Sequence, residues 1–111
     1  MTIEFDTSYK KVPESLINKI RDEMLRLSHL NKNISKAEIF LIEDKTAQKK
    51  DNKVCEIRLS VDNDDDLFVN ARTAGFEESS KEAIKDLEGL VKQHIKDQEE
   101  LPDDLISTVK V

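Results

Sequence analysis

The chain has 111 residues, of which 37% are apolar and 38% charged, and it carries a net charge of −6. That length sets one domain with one modest core, and only two Gly and two Pro set regular elements on short connections. A single Cys excludes an intramolecular disulfide, and no apolar run is long enough for a signal peptide or a membrane span, so the expected location is the cytoplasm.

Thr2–Phe5 alternates, with Ile3 and Phe5 on one side, and reads as a short first strand. Pro13 suits the opening of a helix, and Glu14 in its first turn favours the dipole. Leu16, Ile20, Met24 and Leu27 then form one apolar stripe, and the helix is expected to end near Asn31–Asn33. Ala37–Glu43 is the second strand, with Ala37, Ile39 and Leu41 on one face and Phe40 and Ile42 on the other. Asp44–Asn52 is a polar connection carrying Lys45, Lys49 and Lys50. Val54–Val61 alternates with Cys55, Ile57, Leu59 and Val61 inward. Asp62–Asp66 is a hairpin turn, and the next strand has Leu67, Val69 and Ala71 inward and Phe68, Asn70 and Arg72 outside.

Phe76 leads into a helix expected from Glu77 to Gln98, with Ala83, Ile84, Leu87, Val91 and Ile95 on its core face. Pro102 and its polar neighbours set the expected division: 1–98 as one α+β domain and 99–111 as an acidic, flexible tail. The order βαβββα makes a four-stranded mixed sheet. Strands one and two are parallel, joined by a right-handed crossover, the others pair as antiparallel hairpins, and both helices pack on one face.

Acid is unevenly spread. Residues 1–55 hold eleven Lys/Arg against nine Asp/Glu, whereas residues 56–111 hold seven against fifteen. Much of the excess lies in Asp62–Asp66 and Glu99–Asp104, which leaves other surfaces less hostile to a polyanion. The first of these runs does not fit a calcium loop. The sixth and twelfth positions are Leu67 and Thr73, where an EF-hand needs Gly and Glu. Cys55 alternates with core residues, and His29 and His94 sit on separate helices as surface residues without ligand spacing. No nucleophile–base set, phosphate loop or paired-carboxylate site is present, so the reading is a non-catalytic protein with no metal, cofactor or small-molecule substrate.

Several local patterns occur in a set order. They are Val12 with Leu16, Arg26-Leu27, Ile34, the strand Ala37-Glu38-Ile39-Phe40-Leu41, the pair Val54–Val61 and Leu67–Ala71, and Phe76–Ile84. From Ile3 to about Lys96 this set resembles the ribosome hibernation-promoting factor family, also called ribosome-associated inhibitor or sigma-54 modulation proteins. The chain looks like a short form, without the C-terminal domain by which long members pair ribosomes. The resemblance implies a stress-response protein that binds the small ribosomal subunit at the decoding site and silences idle ribosomes without catalysis. A homodimer is open but not implied. Two departures bear on rRNA affinity. Where the family has a basic Lys-Leu-x-Arg-Gln pattern this chain has Leu90-Val91-Lys92-Gln93-His94, and a basic place in the first helix is Glu23.

Helical spacing supplies other cations. Lys81, Lys85, Lys92 and Lys96 fall in one stripe beside the apolar face, while Glu82, Asp86 and Asp97 point away. Glu88 lies between that stripe and the core face, where it partly neutralises the lysines. Lys19 and Arg26 share a flank of the first helix, with Glu23 near them, and Lys10 and Lys11 precede it. From the residues alone this is an ordinary solvated face; with the resemblance it is a ladder of rRNA-binding cations. A rival reading is a protein–protein module that uses the outer sheet face, through Phe40, Arg58, Phe68 and Arg72.

Overall fold

The computed structural model describes residues 1–7, 12–46 and 50–110, the segment 97–110 as backbone only. Strand β1 is Thr2–Thr7, helix α1 Glu14–Leu30, β2 Ile34–Glu43, β3 Lys53–Val61, β4 Leu67–Thr73 and helix α2 Phe76–Lys110. The sheet order is β1-β2-β3-β4, with β1 parallel to β2 and the other pairs antiparallel. This is the expected α+β architecture with both helices on one face. Strands β1 and β2 both start or end outside the expected bounds, because edge residues pair wherever a neighbour offers a ladder.

Period-two alternation fixes the faces. Ala37, Ile39, Leu41, Cys55, Ile57 and Leu59 are fully buried beneath the helices. Ile20, Met24 and Leu27 of α1 and Ala83, Leu87 and Val91 of α2 meet them from above. Each large side chain so buried contributes roughly 1.5–3 kcal/mol relative to exposure. One irregularity interrupts β2: Ile34 pairs with Val61 but Lys36 with Ser60, so Ser35 is an extra residue whose hydroxyl donates to the Ser60 carbonyl.

Local chemistry sets the ends. Pro13 is the N-cap of α1, in extended conformation, and its carbonyl accepts from the amides of Leu16 and Ile17. At the opening of α2 the Thr73 hydroxyl donates to the Gly75 carbonyl at 2.6 Å, and that carbonyl also accepts from the Ser79 amide. In the β3–β4 turn Asn63 takes φ 62°, a left-handed conformation that asparagine tolerates. The backbone of α2 stays helical past the expected end at Gln98 and through Pro102 to Lys110. The segment carries no glycine, and proline removes one amide donor without fixing where the neighbouring turns must stop.

One expectation is corrected. His94 is not a surface residue; its side chain is only 13% exposed. The Asn31 amide fixes its ring: Asn31 Oδ1 accepts from the Asn33 amide, leaving Nδ2 to donate to His94 Nδ1 at 3.1 Å. His94 Nε2 then donates to Asp64 Oδ2 at 2.7 Å. The histidine thus ties α2 to the C-cap of α1 and to the β3–β4 turn. Sequence spacing along one helix carried no sign of two partners 63 and 30 residues away. His29 is exposed, as expected.

Candidate nucleic-acid interface

Helices α1 and α2 run side by side in the same direction, since Arg26 meets Glu88 and Asn31 meets His94. Between them lies a groove of about 420 Å³. Its floor is Leu16, Ile20 and Ile84, and its rims carry Lys19, Glu23 and Arg26 on α1 and Glu77, Lys81, Lys85 and Glu88 on α2. The periodicity that buries Ile20, Leu27, Leu87 and Val91 therefore also turns the two basic flanks toward each other. Of the sequence-predicted residues, Lys19, Arg26, Lys81 and Lys85 line one groove. Lys92 and Lys96 continue the α2 stripe and are exposed. Lys10 and Lys11 lie outside the described residues.

The groove has two electrostatically different parts. Toward the helix openings, no carboxylate among the described residues lies within ion-pair distance of Lys19, Lys81 or Lys85. Farther along, Arg26 is held by carboxylates of both helices. Its Nη1 donates to Glu88 Oε1 at 2.8 Å, and its Nη2 and Nε donate to Glu23 Oε2 at 2.8 and 3.1 Å. Lys92 Nζ reaches the same Glu88 oxygen at 3.6 Å. The hydrogen bonds to Glu88 and then Glu23 hold the guanidinium proton more firmly than usual, and the bond from Arg26 pulls the Glu88 carboxyl below its ordinary range. The expectation that Glu88 neutralises part of the stripe thus has a geometry. That Arg26 spans two helices to reach it was not legible from either helix alone.

The outer sheet face is differently built. Reading across the register, one row is Glu4, Glu38, Arg58 and Phe68, and the next is Asp6, Phe40, Glu56 and Asn70. Lys36 pairs with Glu4 and Glu38, and Arg72 pairs with Asp44 at 3.0 Å. Arg58 lies over the Phe68 ring, 5.9 Å from its centre, and Phe68 is 44% exposed. Carboxylates outnumber cations on this face, and two of the three cations are spent on them. Among the described residues there is no group of three potential metal ligands. No helix of the described residues is long and apolar enough to cross a membrane.

No family model and no curated protein matches the sequence. Solved structures do match in three dimensions. The N-terminal domain of Protein Y from Thermus thermophilus superposes with a TM-score of 0.68 at 16% identity, covering 85% of this chain and 99% of that one. A ribosomal subunit interface protein from Coxiella burnetii superposes with a TM-score of 0.71 at 12% identity, covering 86% and 99%. The chain therefore has the βαβββα fold shared by the Protein Y N-terminal domain and a ribosomal subunit interface protein, which is the fold its resemblance to hibernation-promoting factors implied.

Proposed function

We propose that this chain is a non-catalytic ribosome-binding protein that seats its α1–α2 flank on rRNA of the small subunit, occupies the decoding region and silences idle ribosomes. The observation that carries this reading is the flank itself. Lys19, Lys81 and Lys85 stand unpaired among the described residues around one groove, on a fold shared with a ribosomal subunit interface protein. Closely set cations without internal partners are what a phosphate backbone requires, because each contact releases condensed counterions. Lys92 and Lys96 extend the line along α2, and Lys10 and Lys11 join the proposal on sequence alone. A surface of this kind reads shape and phosphate rather than base edges, which suits folded rRNA.

Cosedimentation with ribosomes through sucrose gradients, over a salt series, tests the proposal. Comigration with the small subunit at low salt, progressive release as salt rises, and inhibition of translation in a cell-free system are the expected results. Absence from every ribosomal fraction at low salt removes the ribosome and leaves the sheet face as the working surface.

A further inference from the structure

We infer that Glu88 competes internally with polyanion phosphate, holding Arg26 and Lys92 in a cross-helix ion cluster that closes part of the basic flank. The inference rests on reading the flank as a phosphate-binding surface, and it adds a residue that sets affinity from the opposite sign of charge. All the cluster's bonds lie at the surface. Arg26 is 44% exposed and Lys92 65%, yet both point at one Glu88 oxygen. Three of the guanidinium's five N–H donors are taken, Nη1 by Glu88 and Nη2 and Nε by Glu23. An incoming phosphate thus meets open lysines at Lys19, Lys81 and Lys85. At Arg26 it meets two carboxylates already in place.

Two effects of Glu88 act in the same direction. Its charge repels phosphate, and its bonds withdraw one arginine and part of one lysine. Removing the charge while keeping the carboxylate's shape loosens Lys92 and the Nη1 side of Arg26 at once, leaving Arg26 with Glu23 alone. Glu82 is the natural comparison, because it is exposed on the same helix but belongs to the far flank. A substitution there removes an equal charge without unlocking anything.

The experiment compares the full chain with E88Q, E82Q and the double variant E88Q/R26Q. Each is eluted from heparin in a salt gradient and cosedimented with ribosomes at several salt concentrations, after circular dichroism shows the folds are equal. E88Q is expected to elute at clearly higher salt than wild type and to bind about tenfold tighter. The slope of log affinity against log salt should be steeper by about one to two, one for each cation released. E82Q should stay within about twofold of wild type, and adding R26Q to E88Q should remove most of the gain. An E88Q protein that elutes and binds as wild type does, a gain no larger than that of E82Q, or a gain that survives R26Q, overturns the inference. If the heparin shifts appear as described but no variant meets the ribosome, the competitor role of Glu88 stands and the ribosome reading falls.

Discussion

The helix flank and the outer sheet face make an instructive pair. Both are exposed, and both carry cations beside apolar groups. On the sheet, register places each cation next to acid or an aromatic ring: Lys36 near Glu4 and Glu38, Arg72 on Asp44, Arg58 over Phe68. On the helices, the stripe of Lys81 and Lys85 faces Lys19 across a groove, with no carboxylate at ion-pair distance among the described residues. Counting positive residues does not separate the two surfaces. What separates them is whether each charge is already satisfied by a neighbour, since a paired cation must lose its partner before it can hold a phosphate.

The largest expected effect follows directly. Changing Lys19, Lys81 and Lys85 together to Glu replaces three open attractions by repulsions. Ribosome binding measured by cosedimentation at about 100 mM salt should weaken by at least about a hundredfold, because each lost contact also removes its counterion release. None of the three is in the core, so the thermal melt should stay within about 3 °C of wild type. Normal binding by this variant breaks the comparison, since the flank would then be only a solvated surface.

Two further changes sharpen it by separating fold from flank. His94 lies on the side of α2 away from the lysine stripe, bridging Asn31 and Asp64. H94A leaves both partners short of a bond and should lower stability in urea unfolding by about 1–3 kcal/mol, while ribosome affinity stays within about twofold at temperatures where the protein is folded. Cys55 reports the sheet register that sorts inner from outer face. It is fully buried, and burial pushes its thiol up to about 12. The unfolded thiol ionises near 9, so above that pH the unfolded state binds fewer protons than the folded one. The stabilisation is complete below pH 9 and is lost as pH rises toward 12. The loss of stability between pH 9 and 12 should therefore be smaller in C55A than in wild type. Thiol labelling at pH 8 should run at least about a hundredfold slower in the folded protein than in urea. Fast native labelling would mean a slipped strand and reversed faces.

How far the sequence alone reaches differs from feature to feature. Alternation in Cys55–Val61 and the four-three stepping of Leu16, Ile20, Met24 and Leu27 fix which side chains are buried, and the buried residues agree. Those signals are local and repeat over many residues. The lysine stripe was legible for the same reason, from helical spacing alone. The cross-helix bond from Arg26 to Glu88 and the bridge of His94 to Asn31 and Asp64 were not. Each depends on how two elements settle against each other, and nothing in either segment's period records the other. The end of α2 lies beyond the expected Gln98, at Lys110, because the apolar periodicity that marks the helix weakens before its backbone stops.

The smallest expected effect is also the one that tests the comparison from its other side. F40S/F68S strips the two aromatics from the outer sheet face. Phe68 is already 44% exposed and Phe40 partly so, hence little buried area is lost and the protein should remain folded. If the flank carries binding, ribosome affinity should change by less than about twofold, as for a surface change distant from the contact. Loss of Phe68 also frees Arg58 from its ring, which adds an unpaired cation to the sheet. A sheet that touched rRNA through stacked bases would lose affinity by roughly 1–3 kcal/mol for each aromatic removed. A sheet that touched rRNA through charge would instead gain from the freed arginine. Unchanged binding is therefore a specific outcome, expected only if this face stays away from the ribosome, and a shift of either sign would assign the sheet a part in the interface.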